Sequence, residues 1–143
     1  MRIADIMTKD VRVASPDDAV ATVAREMADN DIGFLPVGDN DRLVGMITDR
    51  DIVVRCVADG RDDRTRVAEI MTVDVKYCFD DEEVSDVARN MSDEQIRRMP
   101  VVDRNKRLVG IVSLADAARQ DPSLAGIGLR GVTSPGGQHN QGQ

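Results

Sequence analysis

The hydrophobic positions of the chain follow two kinds of pattern. In "SPDDAVATVAREMADN" (15–30), apolar residues recur at helical spacing behind a serine, a proline and two acids, which predicts an amphipathic helix that begins at about Ser15. The short apolar runs "GFLPV" and "LVGMI" follow, and they predict two strands separated by the turn "GDND". Helical character returns at 48–60, and Gly60 is expected to end that helix.

The same order of patterns occurs twice. A shift of 64 residues aligns "DIMTKDV" (5–11) with "EIMTVDV" (69–75), and "DIGFLPV" with "QIRRMPV". One extra residue in the later turn makes the shift 65 where "RLVGMITDRD" meets "RLVGIVSLAD". Because a unit of this length is unlikely to bury its hydrophobic face alone, the repetition predicts one α/β (α+β) structure built from two copies.

We place the limits of the two copies at 1–60 and 61–120. The second copy predicts a helix from about Asp80 to Ser92, strands in "RMPVV" and "LVGIV", and a helix from about Leu114. The remaining residues, 121–143, are rich in Gly, Pro and Gln, which predicts a disordered tail.

Composition and charge narrow the function. The 143 residues are 41% apolar and 31% charged, a balance typical of soluble globular proteins, and no apolar run is long enough to span a membrane. The start of the chain lacks the apolar stretch of a secretory signal, so we expect a cytoplasmic protein. The net charge of -7 argues against binding to nucleic acid.

The residues that most often carry metal and nucleophilic chemistry are few. Cys56 and Cys78 are not spaced as a metal-binding pair, and the single histidine, His139, lies in the predicted tail. We therefore expect neither a zinc site nor a histidine-based catalytic triad. No set of residues pairs a nucleophile with a base, which favours a protein that is not an enzyme.

A hydroxyl residue with an acid three positions later ends both "GMITDRD" and "GIVSLAD", as Thr48 with Asp51 and Ser113 with Asp116. One interpretation is a capping box, which satisfies backbone N–H groups at a helix start. The other is a nucleotide site, in which the hydroxyl binds a phosphate and the carboxylate accepts hydrogen bonds from ribose hydroxyls. The spacing alone leaves both interpretations open.

Taken together, the "IMT" start, the strand ending in "PV", the "LVG" strand and the G-x-x-[T/S]-x-x-D ending resemble the CBS domain, named after cystathionine β-synthase. The resemblance covers about 1–120. It implies that each copy folds as β-α-β-β-α and that the two copies pack as a pseudo-twofold Bateman module with two clefts. It also implies an adenosine ligand, with AMP as the first candidate and ADP, ATP, NAD or S-adenosylmethionine as others, and no metal.

The resemblance also implies roles for particular residues. Thr48 and Ser113 would contact phosphate, and Asp51 and Asp116 would hold the ribose hydroxyls. The base would lie against apolar residues after "IMT" and at the strand starts, namely Val11, Val75, Ile32 and Ile96.

Basic residues differ between the copies. Arg97 and Arg98 stand where the first copy has glycine and phenylalanine, and the resemblance makes Arg98, followed by Arg97, the candidate for phosphate contact. The alternative is that both are solvated residues at a strand edge. Arg50 is a substitute candidate in the first copy, against the alternative of an exposed helix residue paired with a neighbour.

The sequence thus favours a non-enzymatic regulatory sensor that binds an adenosine nucleotide in the inter-repeat clefts. A homodimer and an unidentified effector protein are the expected partners. The alternative is a ligand-independent scaffold in which the Thr/Asp and Ser/Asp pairs only cap helices. A nucleotide-processing enzyme is the least supported reading, because nothing in the sequence positions a metal or an attacking water. The resemblance to the CBS family implies the class of ligand but not its identity.

Overall fold

A computed structural model describes residues 1–120, and the predicted tail 121–143 lies outside the described residues. The chain has a mixed α+β fold and divides into two compact units. The first-repeat unit is Arg12–Val75, and the second-repeat unit is Met1–Val11 together with the chain from Lys76 onward. Within the described part of the chain, no helix has both the length and the apolar character needed to cross a membrane.

The first-repeat unit is a β-hairpin covered by helices. Its strands β1 and β2 are antiparallel, and Phe34 at the start of β1 lies opposite Thr48 at the end of β2. Helix α2 follows β2 directly and continues as a π-helical segment over Ile52–Val57. The elements are α1 (Val20–Asn30), β1 (Phe34–Asp39), β2 (Arg42–Thr48), α2 (Asp49–Asp51) and α3 (Val67–Ile70).

The second-repeat unit repeats the hairpin and adds a third strand. Strand β3 pairs in parallel with β4, and β4 pairs antiparallel with β5. Arg98 at the start of β4 lies opposite Ser113 at the end of β5. The elements are a 3-10 turn (Ile3–Asp5), β3 (Cys78–Phe79), α4 (Val84–Asp93), β4 (Arg98–Val102), β5 (Leu108–Ser113) and α5 (Leu114–Gln120).

The predicted start of the first helix is wrong. Helix α1 begins at Val20, because the serine and acids before it form their own turn, in which the Ser15 N–H donates to the Asp18 carboxylate at 2.9 Å. The N–H of Val20 donates instead to the carbonyl of Thr65 at 2.8 Å, a residue far along the chain. A distant backbone segment thus takes the place of the serine cap that the sequence predicts.

The start of α4 is displaced in the same direction. This helix begins at Val84, not near Asp80, because the Phe79 N–H donates to the Glu82 carboxylate in a turn that precedes it. The Val84 N–H donates to the carbonyl of Met1 at 2.9 Å. The strands predicted for the two hairpins and the start of α5 at Leu114 are confirmed. The extended piece expected to open the first copy is only an isolated bridge between Ala14 and Val37.

Each unit has a hydrophobic core that includes residues from the start of the other repeat. Ile3 is 1% exposed and packs with buried residues of α4 and β5 in the second-repeat unit. Val67 and Ile70 pack with α1 and the β1–β2 hairpin in the first-repeat unit. The copies seen in the sequence and the compact units of the structure are therefore different divisions of the chain.

Candidate functional site

In the first-repeat unit, Thr48 and Asp51 form a complete capping box. The Asp51 N–H donates to Thr48 Oγ1 at 3.0 Å, and the Thr48 N–H donates to Asp51 Oδ2 at 3.0 Å. Thr48 is fully buried and Asp51 is 7% exposed, so both hydrogen bonds are shielded from water. The capping interpretation is confirmed here, and it still leaves Asp51 Oδ1 outside the reciprocal pair.

Charged neighbours surround this box. Arg55 lies one turn further on, with its Nε 3.9 Å from Asp51 Oδ1 and its Nη1 donating to the Ile70 carbonyl at 3.3 Å. Arg50 is exposed, and its backbone N–H donates to Asp49 Oδ1 at 2.8 Å. The Asp49 N–H donates to the Gly33 carbonyl at 2.9 Å, so the first N–H groups of α2 already have acceptors within the chain.

The second-repeat unit carries the equivalent arrangement in a more open form. The Asp116 N–H donates to Ser113 Oγ at 2.9 Å, and Asp116 Oδ1 accepts a hydrogen bond from the Arg119 guanidinium. The Asp116 side chain is 27% exposed, against 8% for that of Asp51. The carboxylate of the second unit is therefore the more accessible of the two.

Of the two predicted phosphate arginines, Arg98 lies beside this hydroxyl. Arg98 is the direct cross-strand neighbour of Ser113, so the two side chains leave the same face of the sheet. The carbonyl of Arg97 accepts the Leu114 N–H at 3.0 Å, which fixes the strand start against the helix start. Both arginines are half-buried, and the choice between phosphate contact and solvated strand-edge residues stays open.

The apolar candidates separate into two groups. Val11 belongs to the second-repeat unit with Ile96, and Val75 belongs to the first-repeat unit with Ile32. The backbone explains this sorting, because Thr8 pairs with Ile111 of β5 whereas Thr72 pairs with Met46 of β2. Each unit therefore joins the hydroxyl and acid of one repeat to the "IMT" segment at the start of the other.

Sequence reasoning missed the charged partners of the two acids. Arg55 follows Asp51 by four residues and Arg119 follows Asp116 by three, and both spacings place side chains on one face of a helix. These spacings can be read from the sequence and could have predicted both pairs. The proximity of Asp49 to Gly33 could not be predicted from spacing, because it depends on how β1 and α2 meet.

Cys56 and Cys78 are free and buried. Burial raises the pKa of the Cys78 thiol to about 12, and the negative charges of Glu82 and Asp80 add to the shift. Such a thiol stays protonated near neutral pH and is a poor nucleophile. Across residues 1–120, no three His, Cys, Asp or Glu side chains are grouped closely enough to hold a metal ion.

Comparison with known proteins identifies the family. The family model of the CBS domain matches residues 3–57 and again 67–122. The chain belongs to the CBS domain family. The CBS domain-containing protein YhcV of Bacillus subtilis is 40% identical over 116 residues, which cover 81% of this chain and 82% of YhcV. Hypoxic response protein 1 of Mycobacterium tuberculosis is 39% identical over 134 residues, 92% of this chain and 93% of the relative.

Solved structures of other CBS proteins share the fold. The CBS domain pair of protein MJ0100, in complex with 5′-methylthioadenosine and S-adenosyl-L-methionine, is 33% identical, with a TM-score of 0.71 over 86% of this chain and 97% of that chain. CBSX2 in complex with AMP is 25% identical, with a TM-score of 0.74 over 86% and 97%. The chain is thus a CBS-pair regulatory module.

A third similar structure corrects the expectation about metals. Hypoxic Response Protein I with two coordinated zinc ions is 38% identical, with a TM-score of 0.75 over 84% of this chain and 98% of that chain. This finding contradicts the expectation that this chain has no zinc site and takes no metal. The sequence argument relied on ligands at short fixed spacings, whereas zinc requires only that nitrogen, sulfur or oxygen donors meet in space.

Proposed function

We propose that this CBS pair is a non-enzymatic sensor that binds an adenosine nucleotide, with AMP as the first candidate, and passes occupancy to a partner protein. One observation carries the proposal. A hydroxyl and a carboxylate occur at the same strand-to-helix junction in both units, and in the second-repeat unit Arg98 lies opposite the hydroxyl. Two similar CBS proteins with AMP, or with 5′-methylthioadenosine and S-adenosyl-L-methionine, support the ligand class.

Each side chain has a proposed role. The hydroxyls of Thr48 and Ser113 contact phosphate, and the carboxylates of Asp51 and Asp116 accept hydrogen bonds from ribose hydroxyls. Asp51 has one oxygen in its capping box, so the ribose uses Oδ1. The adenine lies on apolar residues that precede or begin the strands, namely Val11, Val75, Ile32 and Ile96. Arg98 binds phosphate, and Arg97 and Arg50 are the secondary candidates.

A ligand-independent scaffold is the second candidate, and the complete capping box favours it. Thr48 and Asp51 satisfy each other, so their presence does not require a ligand. In that case nucleotide would change nothing, and the module would act only through protein contacts.

Thermal unfolding distinguishes these two functions. The purified protein is heated with AMP, ADP, ATP, NAD or S-adenosylmethionine, and with GTP as a control. A ligand present at about 100 times its dissociation constant adds roughly 2.7 kcal/mol to the free energy of unfolding, a rise of several degrees in Tm. Unchanged curves with all five adenosine ligands would support the scaffold.

Substitution of the acids tests the roles of particular residues. The double substitution Asp51→Asn with Asp116→Asn removes both charges but keeps a side-chain oxygen at each position, so we expect weaker nucleotide binding and little change in stability. The matched control is Asp86→Asn, the same substitution in the first turn of α4. Equal affinities in all variants and wild type would contradict the ribose assignment.

We also propose that the module is a homodimer formed through the helix after Thr48. Val53, Val54 and Val57 are 59%, 45% and 65% exposed on this helix. Two copies of the helix, antiparallel about a twofold axis near residue 55, would place Val53 opposite Val57 and Arg50 near Asp59 of the second copy. Light scattering tests this assembly, because Val57→Lys should yield monomers.

An unidentified effector protein is the other proposed partner, and a cytoplasmic location stays a prediction.

A further inference from the structure

We propose that the two units select adenosine ligands of different charge. The second-repeat unit takes a ligand with a 5′-phosphate, and the first-repeat unit takes an adenosine derivative without phosphate, such as a 5′-thioether. This inference rests on the proposed function and narrows it, because Ser113 keeps its contact with phosphate while Thr48 contacts an uncharged 5′ group. It depends on side chains that differ at equivalent positions of the two hairpins.

In the second-repeat unit, positive charge surrounds the hydroxyl. Arg98 is the cross-strand neighbour of Ser113, and side chains directly opposite on an antiparallel pair have Cβ atoms roughly 5 Å apart. Arg97 precedes it and is joined through its carbonyl to the N–H of Leu114. Asp116, in the first turn of the following helix, is paired with Arg119. A phosphate beside Ser113 therefore meets the Arg98 guanidinium, a group that binds phosphate strongly.

The first-repeat unit reverses this arrangement. Phe34, which is 7% exposed, lies opposite Thr48 at the position that Arg98 has in the other hairpin. Gly33 takes the place of Arg97, and a Cβ at Gly33 would be 3.2 Å from Asp49 Oδ2. A carboxylate thus lies where an arginine side chain would begin, and the equivalent of Asp49 in the second repeat is the apolar Leu114.

The formal charges differ accordingly. In the first-repeat unit two acids and two arginines sum to zero, these being Asp49, Asp51, Arg50 and Arg55. In the second-repeat unit one acid and three arginines sum to +2, these being Asp116, Arg97, Arg98 and Arg119. A dianionic phosphate is attracted to the second group, whereas the charges of the first group sum to zero and favour it less. An uncharged thioether needs no positive partner, so it fits the first unit, where the aromatic ring of Phe34 replaces the guanidinium of Arg98.

Calorimetric titration of the full chain with AMP and with 5′-methylthioadenosine tests this division. Arg98→Met should weaken AMP binding roughly tenfold or more, the effect of one charge-assisted hydrogen bond, and leave 5′-methylthioadenosine binding within about twofold. Arg89→Met, on the exposed face of α4, removes the same charge elsewhere and should change neither affinity.

Single-site variants complete the test. Asp116→Asn should weaken the binding of AMP and leave the binding of 5′-methylthioadenosine unchanged. Asp51→Asn should weaken the binding of 5′-methylthioadenosine and leave that of AMP unchanged. If the wild type binds both ligands but each variant weakens both equally, or Arg98→Met weakens both, nucleotide binding stands and the division between the units is wrong. If the wild type binds neither ligand, the proposed function fails and this inference fails with it.

Discussion

Thr48 shows that a capping residue and a ligand-binding residue need not be alternatives. Its hydroxyl accepts the Asp51 N–H, while its own N–H is satisfied by the Asp51 carboxylate. A hydroxyl oxygen has a second lone pair and a proton, so it retains capacity for a phosphate. At the scale of the residue, the capping role is confirmed and the binding role stays a prediction.

The buried cap predicts a stability effect that does not depend on ligand. Thr48→Val keeps the shape of the side chain but leaves the buried Asp51 N–H without an acceptor, so we expect a loss of about 1–3 kcal/mol in urea denaturation. Thr48→Ser should retain most of the stability. Ser113→Ala, at a more open cap, should cost less, about 1 kcal/mol. An unchanged free energy of unfolding in Thr48→Val would show that the cap contributes little to stability.

Cys78 predicts a dependence of stability on alkaline pH. Its pKa is raised from an ordinary 9.0 to about 12 in the folded protein, chiefly by burial. The folded state therefore favours the protonated thiol. The contribution of this thiol to the free energy of unfolding is complete below pH 9 and is lost as the pH rises towards about 12. Compared with Cys78→Ala, the wild type should lose stability more steeply across that range. Parallel curves for the two proteins would contradict the shift.

At the scale of the element, two glycines explain the repeated "LVG". A Cβ at Gly45 would be 2.8 Å from both Met71 Sδ and the Thr72 carbonyl oxygen, and a Cβ at Gly110 would be 2.8 Å from Met7 Sδ and the Thr8 carbonyl oxygen. In each unit the hairpin must admit the backbone of an "IMT" segment at this point. Only glycine permits such a close approach.

Alanine at either glycine should push that segment away. We expect Gly45→Ala and Gly110→Ala each to lower the free energy of unfolding by roughly 1–3 kcal/mol, because a backbone carbonyl cannot rotate aside as a side chain does. Gly33→Ala is the control, since its nearest neighbour is the exposed carboxylate of Asp49. Similar stabilities for all three variants would contradict the close-packing explanation.

A charged pair joins two turns of the second-repeat unit. Arg104 donates from Nε and Nη2 to the two Asp81 oxygens at 2.8 and 2.7 Å, and its guanidinium lies 4.0 Å from the centre of the Phe79 ring. The Arg104 hydrogen bonds hold the pKa of Asp81 below its ordinary value. The contribution of this pair to the stability of the fold is present above the pKa that Asp81 has in the unfolded chain. It is lost as the pH falls through the lower pKa that Asp81 has in the folded protein.

NMR titration tests this pair. Arg104→Met should return the pKa of Asp81 towards its ordinary value, and Arg89→Met should leave it where it is in the wild type. An unchanged pKa in Arg104→Met would mean that the contact does not persist in solution.

At the scale of the whole molecule, each compact unit combines most of one repeat with the segment that begins the other. Ile3 packs in the second-repeat unit and Ile70 in the first-repeat unit, and both are nearly inaccessible to solvent. A fragment cut at residue 60 would lack Val67 and Ile70 from its core. The limits 1–60 and 61–120 therefore describe the repetition of the sequence, and each stays a prediction as an independent domain.

Hydrogen exchange can show which unit is stabilised by the segment around Ile3 and which by the segment around Ile70. Ile3→Ala should cost about 2–5 kcal/mol and reduce protection first in α4 and β5, and Ile70→Ala should do so first in α1 and β1. Loss of protection in the first-repeat unit on Ile3→Ala, with the second-repeat unit unaffected, would contradict the assignment of Ile3 to the second core.

The sequence by itself determined what depends on neighbouring residues. The strands, the helix starts at Thr48 and Ser113, the repeated hydroxyl and acid, and the difference at Arg97 and Arg98 all follow from local spacing. The tertiary structure alone decided what depends on distant backbone. Helix α1 begins at Val20 because Thr65 supplies the acceptor for its N–H, and each hairpin receives an "IMT" segment because a glycine leaves room for it. Hydrogen bonds and close contacts between residues far apart in the chain leave no periodic signal along it, so only the folded structure reveals them.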